Sequence, residues 1–168
     1  MADSKLVVGV VMGSDSDLET MQCCVDQLRK FEIDFELRII SAHRTPAVAR
    51  EYAKKARARG LKVIIAGAGM SAALAGVLAA ETTLPVIGVP IISGPLAGVD
   101  AALSTLQMPP GVPVACMAIG PAGASNAAVL AAEILALGDE AMAKRLEEFK
   151  QAQTASVMEK DAALRQRQ

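Results

Sequence analysis

The sequence predicts an α/β fold: a three-layer, doubly wound parallel sheet with one extra helix at the C-terminus. Short β-branched apolar runs alternate with longer segments in which apolar residues recur every three or four positions. This alternation is typical of βαβ units, in which parallel strands are covered by helices on both faces. The 168 residues, 52% of them apolar, match the length and the core of a single domain.

The first half of the chain contains three predicted strands, at residues 6–12, 35–40 and 63–66. The first of them, LVVGVVM, is apolar on both faces, as a central parallel strand is. A helix at 17–30 is indicated by apolar residues at helical spacing, namely Leu18, Met21, Val25 and Leu28. A helix at 46–59 has Pro46 in its first turn and Gly60 at its stop, which are the usual positions for these residues.

The second half of the chain continues the alternation. A small Ala-rich helix at 71–80 precedes a strand at 85–89, and a short helix at 98–106 precedes a strand at 112–118. A long Ala-rich helix at 123–137 completes the pattern. Five strands separated by helices predict a flavodoxin-like sandwich.

A further helix, predicted at 139–155, follows a sandwich that is already complete. Its apolar residues Met142, Leu146 and Phe149 lie at helical spacing, opposite charged residues at 144, 145, 147 and 148. We therefore divide the chain into a flavodoxin-like domain, 1–138, and a helical arm of the same domain, 139–168. The apolar stripe fits two interpretations equally: it packs on the helix's own subunit, or it packs on a neighbouring subunit. The surplus of small and apolar residues in the helices favours a homo-oligomer.

Composition excludes several classes of function. A net charge of −1 argues against a nucleic-acid or membrane partner, which would require a basic face. Aromatic residues make up only 2%, too few for base-stacking platforms. Three cysteines (Cys23, Cys24, Cys116) and a single histidine form no disulfide framework and no metal-ligand cluster. The N-terminus does not resemble a signal peptide. We therefore expect a cytoplasmic protein that binds no metal.

Candidate functional residues lie where strands end, because ligands of doubly wound sheets bind at the carboxyl edge. After the first strand comes GSDSD, residues 13–17. Ser14 and Ser16 offer hydroxyls, and the start of the next helix offers free backbone N–H groups, which suit a phosphate or a sugar hydroxyl. Serine and aspartate are also preferred helix caps, so a plain cap around Asp17 is the alternative interpretation.

The segment after the second strand is SAHRTP, residues 41–46. It contains His43, the single histidine of the chain, which can exchange a proton near neutral pH. The neighbouring Arg44 can hold a phosphate or carboxylate with two parallel hydrogen bonds. A lone histidine is more often structural, but its place at a strand end favours a functional role. The segment after the third strand is AGAGMS, residues 66–71, and its two glycines allow close approach of backbone to a ligand or to a neighbouring element.

Taken together, VMGSDSD, SAHRTP and AGAG followed by an Ala-rich helix resemble the PurE family. The later segments LPVIGVP, GVDAALSTLQMPPGVPV and AIGPAGASNAAVLAAEIL resemble it as well. The resemblance implies an enzyme of de novo purine biosynthesis that acts on a ribonucleotide of 5-aminoimidazole. It also implies a homo-octamer whose C-terminal helices embrace neighbouring subunits, and no cofactor.

The resemblance also implies roles for individual residues. His43 is the expected general acid–base, Arg44 and the serine hydroxyls are expected to bind the 5'-phosphate, and Asp17 the ribose hydroxyls. The full expected substrate-binding set is Ser14, Ser16, Asp17, Ser41, Arg44, Ala68 and Gly69.

The family has two branches. One is a mutase that moves the carboxylate of N5-carboxyaminoimidazole ribonucleotide from N5 to C4, and the other carboxylates aminoimidazole ribonucleotide with carbon dioxide. Arg44, where the carboxylase branch tends to have lysine, favours the mutase. One departure keeps the carboxylase as the alternative: the family's second histidine falls on Ala73 and its proline on Ala75. A more remote alternative is a non-catalytic ribonucleotide-binding module, which would not require His43.

Overall fold

The computed structural model describes residues 7–167. Its five strands are β1 (Val8–Met12), β2 (Phe35–Ile39), β3 (Val63–Gly69), β4 (Val86–Ile91) and β5 (Ala115–Cys116). They form one sheet in the order β2-β1-β3-β4-β5, with every pair parallel. This is the flavodoxin-like order, in which the direction of winding reverses between β1 and β3, and the predicted fold class is confirmed.

Helices cover both faces of the sheet. They are α1 (Leu18–Lys30), α2 (Pro46–Ala56), α3 (Leu74–Ala79), α4 (Val99–Leu106), α5 (Pro121–Ala136) and α6 (Glu140–Arg165). One core cluster joins the sheet to α1, α5 and the start of α6, and a second joins its other face to α2 and α3. None of the helices within residues 7–167 is long and apolar enough to cross a membrane.

The third strand is longer than predicted. It runs through the AGAG segment to Gly69, because Gly67, Ala68 and Gly69 pair with Val89, Pro90 and Ile91 of β4. The following helix consequently begins at Leu74 rather than at residue 71. The backbone between them turns at Met70, which has a positive φ of 53°.

Other boundaries differ less, apart from the fifth strand. The predicted strand at 112–118 is reduced to Ala115–Cys116, which pairs with Ile87 and Gly88 at the edge of the sheet. The predicted start of the first strand at residue 6 lies outside the described residues. α5 begins two residues before its predicted start, since Pro121 occupies its first turn.

The first turns of α6 pack on their own subunit. Met142 and Leu146 are buried in the core cluster that also contains α1 and α5. Phe149 contacts Phe31 edge to face, with ring centroids 5.1 Å apart, and Asp139 caps the helix by accepting from the backbone N–H of Met142. Of the two interpretations of the apolar stripe, the interpretation in which it covers its own subunit is therefore correct for residues 142–149.

The rest of α6 projects away from the domain. Every described side chain from residue 151 onwards is exposed, including Val157, Met158 and Leu164. The helix continues to Arg165, ten residues beyond its predicted end at 155, because no glycine or proline interrupts it.

Gly123 in the first turns of α5 offers a test of the packing. A Cβ atom at this position would lie 1.6 Å from the backbone oxygen of Ala118, so the strand-to-helix connection leaves no space for a side chain. We expect Gly123→Ala to lower the free energy of unfolding by about 2 kcal/mol or more, the cost of an overpacked core. Gly138→Ala is the matched control, because a Cβ atom there meets nothing within 4 Å. Equal urea midpoints for the two variants would contradict this account.

Candidate active site

A cleft of about 540 Å³ opens at the carboxyl edge of the sheet, above β1 and β3. Its walls come from the loop after β1, the loop after β2, the end of β3 with the turn that follows, and one residue after β4. The structure brings together all eight predicted site residues as lining of this cleft: Ser14, Ser16, Asp17, Ser41, His43, Arg44, Ala68 and Gly69.

The loop after β1 is a capping box that also faces the cleft. The backbone N–H of Ser14 donates to Asp17 Oδ2 at 3.0 Å, and the N–H of Ser16 donates to Ser14 Oγ at 3.4 Å. The two interpretations of this segment are therefore compatible, because the same side chains order the turn and line the cleft. The hydroxyl of Ser14 donates to Asp15, which holds the pKa of that exposed carboxyl below its usual range.

Asp17 is the buried member of this loop, with only 6% of its surface exposed. Burial raises the pKa of its carboxyl, and hydrogen bonds from the backbone N–H groups of Ser14 and Gly13 act in the opposite direction. Asp17 thus fixes the loop and offers the cleft only a small part of its surface.

The loop after β2 is closed by its own hydrogen bonds. Thr45 Oγ1 donates to the carbonyl of Ser41 at 2.9 Å and accepts from the N–H of Ser41 at 3.0 Å. Ser41 Oγ accepts from the N–H of Arg44 at 3.1 Å. These bonds hold residues 41–44 in one arrangement immediately before Pro46 begins α2.

The side chain of Arg44 joins the two loops. Its Nη2 donates to the carbonyl of Gly13 at 3.2 Å, and its Nε donates to Ser41 Oγ at 3.5 Å. The side chain is exposed, and a guanidinium has five N–H donors, so donors remain for a ligand. Besides the ionisable His43, the charged side chains that line the cleft within the described residues are Arg44 and Asp17. An exposed cation and a buried acid favour an anionic group at this end of the cleft.

His43 lies beside Arg44 and is exposed to the cleft. Its imidazole makes no hydrogen bond within residues 7–167, so both ring nitrogens are open to a ligand. This is the geometry that an acid–base group requires, because the proton it transfers belongs to the substrate.

The opposite wall is largely apolar. Ala68, Ala73 and Leu74 line it, and its polar side chains are Ser71 and Ser93. Two glycines of β3, Gly67 and Gly69, serve packing. A Cβ atom on Gly67 would lie 2.4 Å from Met21 Sδ, and one on Gly69 would lie 2.7 Å from Ser93 Cβ.

Three further residues of this wall, Met70, Ser71 and Leu74, were not among the predicted site residues. The extension of β3 and the turn at Met70 bring them to the cleft, and pairing between strands that lie far apart in sequence gives no local signal. Ser93, in the segment after β4, completes this wall. Ala73 lines the cleft without a polar atom at the position of the family's second histidine.

Comparison with known proteins places this geometry in a family. The sequence profile described as AIR carboxylase matches residues 7–156. A protein of Brucella melitensis biotype 1 named N5-carboxyaminoimidazole ribonucleotide mutase is 56% identical over 153 residues, which cover 91% of this chain and 94% of that protein. A protein of the same name from Bacillus subtilis is 53% identical over 153 residues, with the same coverage of 91% and 94%.

A solved structure agrees with the sequence comparison. The crystal structure of Treponema denticola PurE superposes with a TM-score of 0.84 at 31% identity, covering 94% of this chain and 98% of that chain. The fold, the three strand-end motifs and the relatives thus point to one conclusion. The chain belongs to the AIR carboxylase family, as its resemblance to PurE proteins implied.

Proposed function

We propose that this chain is an N5-carboxyaminoimidazole ribonucleotide mutase of de novo purine biosynthesis. The observation that carries the proposal is the placement of His43 beside Arg44 in one cleft, with its imidazole unengaged and its backbone held by a closed turn. The relatives that are 53–56% identical over most of the chain carry the name of this enzyme, an isomerase.

The cleft suits the three parts of such a substrate. The phosphate binds to Arg44 and to the hydroxyls of Ser14 and Ser16. The ribose hydroxyls reach the exposed edge of Asp17. The imidazole ring then extends between His43 and the apolar wall at Ala68 and Gly69.

A single histidine suffices for the proton transfers. Protonated His43 donates to N5 while the carbamate N–C bond breaks, which releases carbon dioxide and leaves the free exocyclic amine. The amine makes C4 electron-rich, and C4 attacks carbon dioxide to form the new C–C bond. Neutral His43 then removes the C4 proton, which restores aromaticity and returns the histidine to its starting form. The rate comes from holding carbon dioxide next to C4 and from positioned proton transfer, and no cofactor takes part.

A carbon-dioxide-dependent carboxylase is the second candidate, and Ala73 is the observation that favours it. Alanine leaves the wall with more space and one hydrogen-bond donor fewer than a histidine would, which weakens retention of released carbon dioxide. In that reaction free carbon dioxide is the substrate, and His43 removes the C4 proton to solvent.

The two reactions differ in the origin of the carboxylate. We expect N5-carboxyaminoimidazole ribonucleotide, supplied with labelled bicarbonate, to yield product with little label at early times, because the carboxylate stays in the cleft. Aminoimidazole ribonucleotide with labelled bicarbonate serves as the second arm. Efficient product formation in the second arm alone would replace the mutase by the carboxylase, and no product in either arm would favour the binding module.

His43→Asn tests the acid–base role. Asparagine keeps polarity and similar size but cannot exchange a proton near neutral pH, so we expect turnover to fall by at least about a hundredfold, the usual contribution of general acid–base catalysis. Product affinity, measured by calorimetry, is expected to change little. A variant that retains most of its turnover would exclude His43 from the reaction.

Arg44→Ala tests phosphate binding. Loss of hydrogen bonds to a charged group is expected to weaken ribonucleotide binding by about 1.5–3 kcal/mol, with partial recovery in Arg44→Lys. Arg38→Ala is the matched control, since Arg38 is an exposed arginine on β2 outside the cleft. Equal affinities of the Arg44→Ala and Arg38→Ala variants in calorimetry would contradict the assignment.

We extend the proposal to assembly: a cytoplasmic homo-oligomer, an octamer as the family resemblance implies, in which the distal half of α6 packs on a neighbour. Residues 1–138 then form the catalytic unit and 139–168 its arm. The support is the exposed apolar side chains on two helices, Val157, Met158 and Leu164 on α6 and Val99, Leu103 and Leu106 on α4. The three free cysteines match a reducing compartment.

Two shortened chains test the arm. A chain ending after Lys150 keeps Met142 and Leu146 in the core, so we expect it to remain folded but to form a smaller assembly in light scattering. A chain ending after Gly138 loses both side chains and is expected to lose about 3 kcal/mol or more of stability as well. An unchanged assembly mass for the first chain would contradict the arm.

A further inference from the structure

Thr45 occupies the position at which a helix is normally capped, but its hydroxyl does not cap α2. The side chain makes no hydrogen bond to the backbone of that helix. Ser14 and Asp139, at the starts of two other helical segments, accept from backbone N–H groups of their own first turns. Threonine is one of the preferred residues for this bond, which stabilises the start of a helix. The hydroxyl of Thr45 therefore has another partner.

That partner is Ser41, at the start of the same loop. Thr45 Oγ1 donates to the carbonyl oxygen of Ser41 at 2.9 Å and accepts from the N–H of Ser41 at 3.0 Å. The backbone N–H of Thr45 donates to the same carbonyl oxygen at 2.9 Å. One hydroxyl thus holds both backbone polar groups of Ser41, because a hydroxyl is a donor and an acceptor at once.

Ser41 in turn holds Arg44. Ser41 Oγ accepts from the backbone N–H of Arg44 at 3.1 Å and from its Nε at 3.5 Å. Nη2 of the same guanidinium donates to the carbonyl of Gly13 at 3.2 Å. An exposed arginine side chain without such partners samples many rotamers, and its ordering then opposes ligand binding. The bonds to Ser41 and Gly13 orient the guanidinium before a ligand arrives.

Thr45 itself does not line the cleft. The four residues before it, 41–44, all do. The single hydroxyl proton of Thr45 is used on the carbonyl of Ser41, so it is not offered to a ligand. Any effect of Thr45 on ligand binding therefore passes through its neighbours. The contacts run from Thr45 to Ser41, from Ser41 to Arg44, and from Arg44 to the phosphate of the proposed substrate.

We propose that Thr45 is a positioning residue that acts through Ser41 to aim the guanidinium of Arg44 at the 5'-phosphate. The inference rests on the proposed mutase function, whose substrate supplies that phosphate. It explains why the N-cap residue of α2 makes no capping bond: its hydroxyl stabilises the ligand-binding conformation of the loop instead of the helix. Pro46, in the first turn of α2, favours the helix start without that bond, because its φ is preset.

Four variants test the inference. Thr45→Val keeps the branched shape and removes the hydroxyl, and Thr45→Ser retains the hydroxyl as the rescue variant. Ser41→Ala keeps the backbone groups that Thr45 bonds and removes only the acceptor for Arg44, so it tests the next contact even if Thr45→Val fails to fold. Thr82→Val is the matched control, because Thr82 Oγ1 accepts from the N–H of Leu84 at 3.2 Å in the loop before β4, outside the cleft.

Calorimetry measures the affinity of each variant for the C4-carboxylated ribonucleotide and for the corresponding ribonucleoside, which lacks the phosphate. We expect Thr45→Val and Ser41→Ala to bind the ribonucleotide about tenfold more weakly, the scale of one hydrogen bond to a charged group, and the ribonucleoside with unchanged affinity. Thr45→Ser is expected to recover most of this loss, and Thr82→Val to match the wild type. In the Arg44→Ala background, Thr45→Val is expected to have little further effect, because the two residues act in series.

A loop that is merely loosened weakens the binding of both ligands, so equal losses for ribonucleotide and ribonucleoside overturn the inference. Unchanged ribonucleotide affinity in Thr45→Val and Ser41→Ala overturns it as well, and so does an undiminished effect of Thr45→Val in the Arg44→Ala background. Wild type that binds the ribonucleotide but does not convert N5-carboxyaminoimidazole ribonucleotide refutes the mutase function alone, because the phosphate selectivity of the variants still decides the role of Thr45.

Discussion

The site depends on the register of three parallel strands. Met12, the last residue of β1, pairs with Ile39 at the end of β2 and with Gly67 within β3. Two loops therefore leave the sheet at the same level, and β3 rises two residues above them to Gly69. The level ends allow Arg44 of one loop to reach the carbonyl of Gly13 in the other, and the longer β3 forms the wall that faces them. A one-residue shift of β2 would break the bond and invert its side chains across the sheet.

This register separates the cleft into a charged half and an apolar half. The charged half has Arg44 and Asp17, and its backbone is fixed by short-range hydrogen bonds. The apolar half comes from the end of β3, where small residues leave space for a planar ring. The proposed reaction uses this division, because the phosphate stays charged throughout whereas the carboxylate passes through neutral carbon dioxide. His43 lies at the charged side with its imidazole free of hydrogen bonds to other residues within 7–167.

The predictable and unpredictable parts of the structure differ in the range of the interactions that determine them. Local sequence patterns predict the strands, most helices and the loops at 13–17 and 41–46. The rule that ligands of doubly wound sheets bind at the carboxyl ends of the strands then places Ser14, His43 and Arg44 together. The extension of β3 depends on pairing with β4, and glycine and alanine have little tendency of their own to form strands. The turn at Met70 could not be predicted from the sequence either, since a positive φ is unusual for methionine. For α6, the apolar stripe predicts that a surface covers it but contains no information about whose surface that is.

The loop after β1 shows why the proposed reaction assigns proton transfer to His43 rather than to the carboxylates. Asp17 is buried and accepts hydrogen bonds that order the loop, so any change of its charge during turnover would disturb the cap that positions Ser14 and Ser16. Burial raises the pKa of this carboxyl while those bonds require its lone pairs, and the two effects together make it a poor group to cycle between acid and base. The side chain of His43 makes no hydrogen bond that orders its loop, since Thr45 and Ser41 make those bonds instead. The caps thus make the structural hydrogen bonds, and the imidazole of His43 makes none within residues 7–167, as the proposed proton exchange with the substrate requires.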